Sequence, residues 1–378
     1  MISGITVKNF KALADFSMPM EMFTCLIGLN GAGKTTVLQV LDFIGHLACG
    51  ITDFRGWEKS ELITNGNNSR TITFQIDFNF NGKGKYRWSG KYNIDKQRFT
   101  EESIVAVNSD PPYYNTLLQV KENRLSYGGL SLVGPKDISD YDYKGSVLSA
   151  FKFEDSVILA VKKELQSLKS MELLSPNSLR RSSLPGDSLG IGGEGLSGYL
   201  CNLKNEDEGS LQDVLRIFYP QTNRYEIKRK KFGWKDLLLR ENAFKSPISA
   251  AHINDGYLRV LAILSQRYSK ANFLLFDEIE NGINQELIDK LLNQLLDFNG
   301  KQVLVTTHSA LVLNYLADKT AKESVVFLYK DAVGNTRAVK FFEIPKIAKK
   351  MEFMAPGQIM SQTNLIELSY ELAQHEEA

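Results

Sequence analysis

The chain has 378 residues, 43% hydrophobic and 24% charged, with 45 Lys+Arg against 44 Asp+Glu and a formal net charge of +1. That balance excludes a wholly basic, histone-like binder and an acidic tail protein, and the length fits two or three domain-sized units. The three cysteines, Cys25, Cys49 and Cys201, are widely spaced without a CxxC pair, which argues against both a disulfide framework and a zinc site. No apolar run approaches the roughly 18 residues of a membrane span, and the N-terminus has no basic stretch leading into an apolar one. The expectation is a cytoplasmic protein with no membrane contact.

In chain order, residues 5–7 and 23–27 read as strands, the second a short apolar run of the buried kind. It enters Gly28-Leu29-Asn30-Gly31-Ala32-Gly33-Lys34-Thr35-Thr36, after which Val37, Leu38, Val40, Leu41 and Ile44 keep helical spacing. Alternation over 71–78, then Tyr86-Arg87-Trp88 and Lys91-Tyr92, predicts an antiparallel meander with a turn at Asn81-Gly82. Residues 103–147 are turn-rich and poorly periodic. From 147 to 170 the pattern predicts a helix with Leu159, Val161, Leu165 and Leu168 near one face. Residues 175–198, dense in Ser, Gly and Pro, read as a loop or mobile lid, and 208–240 as a helix and a hairpin. The last third predicts helix 256–268, strand 272–276, helix 284–297 and strands 302–306 and 324–330. Strands alternating with helices imply a parallel sheet with helices against it, so the class is α/β. There is no internal repeat and no sustained heptad.

Gly28-x-x-x-x-Gly33-Lys34-Thr35 has the spacing of a phosphate-binding loop: glycines let successive N–H groups face an anion at the start of a helix, Lys34 reaches the β- and γ-phosphates, and Thr35 can ligate Mg²⁺. The apolar strand before Asp277-Glu278 delivers two carboxylates at its C-terminal end, one suited to hold Mg²⁺ and the other to polarise a water; an ordinary acidic turn fits that pair equally well when it is read alone. Val303 to Ser309 is a third such strand, ending at His308, a residue more often structural than catalytic. Ligands of open α/β sheets bind at that edge, so three polar strand ends form a joint signal. Asn254-Asp255-Gly256 opens a helix and reads either as a phosphate-binding start or as a simple N-cap.

With these pieces in place, the sequence resembles ABC-type P-loop ATPases of the RecF/SMC/OLD group. More closely it resembles the stand-alone AAA_21-like ATPases of bacterial anti-phage systems, of the Septu, PARIS and AbiL type. The resemblance rests on ITVKNFKALADF, LIGLNGAGKTT, INDGYLRVLAIL, LLFDEIENGIN and VLVTTHS, in the family's order. It implies an ATPase domain with a mixed sheet, a parallel core flanked by helices and an antiparallel meander, interrupted by an inserted, mostly helical lid. The corresponding divisions are 1–95, 96–245 and 246–378. It further implies ATP and Mg²⁺ held by Gly28, Asn30, Gly31, Ala32, Gly33, Lys34, Thr35 and Thr36, with Thr35 and Asp277 on the metal, Glu278 as general base and His308 as switch histidine. Asn254, Asp255 and Gly256 take the signature position, which acts on the opposite protomer's nucleotide, and Ile279 to Gly282 take the D-loop position. The chain departs from the family where Asn254 stands for the usual Ser and where Asn284-Gln285 stands for His-Pro, and no Q-loop is assigned.

The expected partners follow from the same resemblance: a homodimer or higher even oligomer, and a separate effector, a nuclease or toxin. Only 70 residues follow His308, without a clustered acidic motif, so no nuclease domain is expected there. The alternative is a RecF-like clamp on DNA. For it, Lys228-Arg229-Lys230-Lys231 with Trp234 and Lys235 would contact phosphates; a solvated hairpin strand is the plainer reading of so short a run. Arg180-Arg181 reads as part of a nucleic-acid or partner surface or, more plainly, as a mobile solvated loop, and Trp57 to Ser60 have no assigned role.

Overall fold

The protein is described by a computed structural model over residues 1–107, 114–128 and 135–375. Its frame is a six-stranded sheet built from β3 (Phe23–Gly28), β10 (Leu168–Met171), β14 (Phe273–Phe276), β15 (Gln302–Thr306), β16 (Val325–Lys330) and β17 (Thr336–Lys340), in the order β10-β14-β15-β3-β16-β17. All neighbours are parallel except the β16–β17 hairpin. Every residue of β3 is buried, and successive side chains enter different cores: Phe23, Cys25 and Ile27 on one side, Leu26 on the other. That two-sided burial explains why these strands read as unbroken apolar runs rather than as alternating ones.

An eight-stranded antiparallel sheet covers one side. It comprises β1 (Ile2–Phe10), β2 (Leu13–Pro19), β4 (Thr71–Phe80), β5 (Gly84–Asn93), β6 (Arg98–Val107), β7 (Tyr114–Lys121), β8 (Arg124–Tyr127) and β9 (Lys136–Asp137), in the order β2-β1-β4-β5-β6-β7-β8-β9. Ile72, Phe74, Ile76 and Phe78 of β4 form its buried face, as alternation requires. Helix α1 (Lys34–Ala48) lies between the two sheets and contributes Val37, Leu41, Phe43 and Ile44 to the shared core. Phe43 is fully buried and its ring meets Phe10, Phe54, Phe74 and Tyr92.

The stretch 96–245 contributes to all three sheets. Strands β6 to β9 continue the meander, so the division at 95 falls between two paired strands, and within 103–147 the described residues 103–107, 114–121, 124–127 and 136–137 hold ladder structure that their weak periodicity did not signal. Where one helix was expected from 147 to 170, the chain forms a single α-helical turn at Val147–Ala150, then α2 (Ser156–Gln166) with Asp155 capping its start, then β10. The buried stripe of α2 is Ile158, Val161 and Leu165; Leu159 is exposed, and Leu168 belongs to the strand. Residues 175–198 are packed, with Leu179, Leu189 and Leu196 in the main core. Helix α3 (Asn205–Phe218) and the hairpin β11 (Thr222–Arg229) and β12 (Lys235–Glu241) match expectation, with β13 (Ile248–Ser249) completing a three-stranded sheet. Helices α4 (Asp255–Ser265) and α5 (Gln285–Leu296) complete the main core, and α6 (Leu365–His375) lies near the C-terminus. Among the described residues no helix is long and apolar enough to cross a membrane.

Because Phe43 joins the helix to the antiparallel sheet, Phe43→Ala is expected to cost about 3–5 kcal/mol of stability, and Phe43→Leu clearly less. Urea unfolding followed by the fluorescence of buried Trp88 measures both.

Candidate functional site

Strand β15 lies between β14 and β3, in parallel register that sets Phe276 beside Val305 and Thr306 beside Leu26. The three polar strand ends therefore meet at one edge, although Lys34 and Asp277 lie far apart in sequence. From β3 the chain turns through Gly28 (φ 150°), Gly31 (φ 77°) and Gly33 (φ 109°) into α1. A Cβ on Gly28 would stand 2.4 Å from the Leu328 carbonyl oxygen, and one on Gly33 would stand 2.5 Å from the Thr336 hydroxyl. These two glycines are thus required by close approach as well as by backbone angle. Thr336 also donates to the Ala32 carbonyl at 2.9 Å, pinning the loop to β17.

Lys34 is buried, and its Nζ donates to the carbonyls of Gly28 (2.9 Å) and Leu29 (3.0 Å). Burial lowers its pKa, while the charges of Asp277, Glu278 and Glu280 oppose that shift. A desolvated ammonium held by two carbonyls of the glycine-rich turn, at the start of a helix, fits a polyanion such as a nucleotide triphosphate. The Thr35 hydroxyl donates to Asp277 Oδ2 at 2.9 Å, and the Thr306 hydroxyl donates to Asp277 Oδ1 at 2.5 Å. A hydroxyl beside a buried carboxylate is the oxygen donor set that a hard divalent cation prefers. Mg²⁺ fits these residues.

Glu278 follows at a φ of 46°, an uncommon backbone state for a residue with a side chain. Its N–H donates to the Thr306 hydroxyl at 2.8 Å, its carbonyl accepts from Arg259 at 2.5 Å, and its carboxylate accepts from Asn281 at 3.1 Å. Arg259 also reaches the Asp277 carbonyl at 3.3 Å, and burial lowers its pKa to about 10. His308 is exposed at the end of β15, its backbone N–H donating to Glu280 Oε1 at 2.9 Å. Asn254 is the N-cap of α4: its Oδ1 accepts from the N–H groups of Gly256 (2.8 Å) and Tyr257 (3.3 Å). The cap reading of Asn254 therefore holds, and its Nδ2 has no partner among the described residues. Gly256 packs on the turn after Glu278, where an added Cβ would meet the Gly282 carbonyl at 2.8 Å.

The chain matches two families of AAA domains. Residues 1–175 match the family described as "AAA ATPase domain", and residues 146–314 match "AAA domain, putative AbiEii toxin, Type IV TA system". Over 115 residues, 29% of this chain and 20% of the relative, it is 32% identical to the OLD nuclease of Thermus scotoductus. The chain thus spans about a fifth of that curated relative's length. In fold it is similar to an SMC head bound to the C-winged helix domain of ScpA (TM-score 0.57, 14% identity, 89% of this chain and 97% of that one). It is also similar to the Pyrococcus furiosus SMC head with an extended coiled coil, bound to the C-terminal domain of ScpA (TM-score 0.54, 13% identity, 93% and 99%). Together these matches support an ABC-type P-loop ATPase of the RecF/SMC/OLD group.

Several residues of this P-loop ATPase site were not singled out from the sequence. Thr306 ties Asp277 to Glu278, and Arg259 holds both carbonyls. The signal available for Arg259 was a lone cation inside the apolar run of α4. Lys11, in the β1–β2 turn, lies over the Trp57 ring at 3.0 Å and donates to Gln39 at 3.3 Å; burial, then neighbouring Arg55, lowers its pKa to about 8. Trp57 thereby gains a structural role. A cavity of about 580 Å³ opens beside the loop crest, between Leu29–Ala32, Tyr329–Ala332 and α6.

Thr306→Val keeps the side chain's shape but leaves the Glu278 N–H unpaired and frees one Asp277 oxygen. The expected result is a folded protein whose Mg²⁺-dependent affinity for ATP falls about 10-fold, a loss of the size usual for one buried partner. Titration calorimetry with and without Mg²⁺ checks it.

Proposed function

We propose that this chain hydrolyses ATP between two of its own copies and uses the cycle to control a separate effector, a nuclease or toxin, in cytoplasmic anti-phage defence. The observation that carries the reading is the unbroken hydrogen-bonded run Thr35–Asp277–Thr306–Glu278, which joins three strand ends into one site. The backbone of residues 28–36 and the ammonium of Lys34 bind the phosphates. Thr35 and Asp277 would hold Mg²⁺, which when bound offsets negative charge on the phosphate oxygens. Glu278, fixed by Arg259 and Asn281, takes the proton of the attacking water, and His308 contacts the γ-phosphate from the end of β15.

The exposed start of α4 supports action in trans, because Asn254 keeps its Nδ2 free while its Oδ1 shapes the helix terminus. Two nucleotides between two copies would draw the copies together, and hydrolysis would release them, a population shift set by differential binding. The stretch 96–245 is the surface on which an effector would read that shift. The effector and the defence role rest on likeness to the families above and to a relative named as a nuclease.

Glu278→Gln is expected to keep ATP affinity while turnover drops on the order of 10²-fold, since the amide cannot accept the proton. Lys34→Ala should lose binding itself. Mixed Lys34→Ala and Asn254→Arg protomers form one composite site with both residues intact, so each variant alone should be inactive and the mixture should partly recover. Turnover by Glu278→Gln at the wild-type rate removes Glu278 as base, and heterodimers without recovery remove the trans assignment.

A further inference from the structure

The tip of the β11–β12 hairpin is built unlike a plain solvated turn. Phe232 is 92% exposed, at a φ of 58° that bulky residues rarely adopt. Trp234 is 42% exposed and Leu184 52%, and the Leu184 side chain lies against Gly233 at the same turn. Lys228, Arg229 and Lys231 are exposed with no acidic partner among the described residues, whereas Lys230 is paired with Asp236 at 2.9 Å. Free aromatic faces interleaved with unpaired cations are the elements with which proteins bind unstacked bases and their phosphates. A duplex hides its base faces, and an acidic peptide would use the cations but leave the two rings unexplained. The patch is also too small and too charged for the apolar face that interfacial membrane binding uses.

The tip is tied to the nucleotide site. Lys230 donates to the Ser182 hydroxyl at 3.0 Å, Ser182 donates to Asp236 at 3.0 Å, and the backbones of Ser183 and Lys235 exchange hydrogen bonds of 3.1 and 2.8 Å. Two residues earlier in the same strap, Arg180 donates to the Ile253 carbonyl at 2.9 Å and pairs with Asp255, while its buried Nε has no partner among the described residues. Arg180 is therefore not a solvated loop residue. It fastens the strap to the start of α4, next to Asn254.

We propose that this hairpin tip docks single-stranded nucleic acid and that Arg180 transmits occupancy to the start of α4. Phe232 and Trp234 stack on bases, Lys228, Arg229 and Lys231 take phosphates, and displacement of Lys230 or Ser182 shifts the strap. The assignment does not depend on ATP hydrolysis, and its test reads none. Anisotropy titrations of the full chain with labelled oligo-dT and oligo-rU of about twenty nucleotides, a matching duplex and anionic vesicles should show single-strand binding that weakens with salt. The preferred strand identifies DNA or RNA. The double variant Phe232→Ala/Trp234→Ala should weaken binding about 10-fold or more, and Lys228→Ala/Arg229→Ala/Lys231→Ala should flatten the salt dependence. Amide exchange over residues 250–260 should change when the oligonucleotide binds. Arg180→Gln, or Asp255→Asn should Arg180→Gln fold poorly, should abolish that response while leaving affinity intact. No binding of either oligonucleotide, binding unchanged by both tip variants, or vesicle binding alone overturns the docking assignment. An exchange response that survives loss of the Arg180–Asp255 link overturns the coupling.

Discussion

The carboxylate of Asp277 holds the nucleotide site together. One oxygen accepts from Thr35 at the start of α1 and the other from Thr306 at the end of β15, so three strand ends are fixed by one buried group. A buried carboxylate left without such donors would be costly, and that cost is what enforces the alignment. Thr306 then passes the constraint on, because the same hydroxyl accepts the Glu278 N–H. Any shift of β15 along its neighbours would break both bonds together.

Around that point the structure concentrates buried charge. Lys34, Arg259, Asp277 and Glu280 lie close enough to influence one another, and the two cations lose basicity to burial more than they regain from the acids. Glu280 presents one carboxylate oxygen to the His308 N–H and leaves the other buried without a partner among the described residues. Glu278 sits in a left-handed backbone state. Strained and under-satisfied groups persist where surrounding structure over-determines them, and such places are commonly functional. Here they lie within one turn of chain, between a phosphate loop and a capped helix start. Arg180 extends the system outward, since it joins the capped helix to a strap whose far end is a basic, aromatic hairpin tip.

Much of this was legible in the residues. The glycine spacing before Lys34 and the apolar run before Asp277-Glu278 are local patterns, and each maps onto a strand end because burial on both faces leaves a continuous apolar signature. The N-cap at Asn254 is local too. Weak places were those where periodicity is diluted by pairing with distant strands: β6 and β7 carry polar residues on an open face, and 175–198 looks like a loop because its buried leucines are spaced by Ser, Gly and Pro. Leu159 lies off the buried face of α2 because two positions, about 200° of helix, separate it from Val161.

The sequence by itself determined the α/β class, the order of the motifs and the chemistry each strand end can offer, because those depend on neighbours within a few residues. Tertiary structure alone decided which ends meet. Inserting β15 between β3 and β14 brings Thr306 between Asp277 and Glu278, and packing α4 against that edge brings Arg259 to their carbonyls. It also decided that Arg180 is a tether and Phe232 an exposed tip. Those roles come from contacts between segments tens of residues apart, and their energies depend on burial and distance that no local pattern encodes.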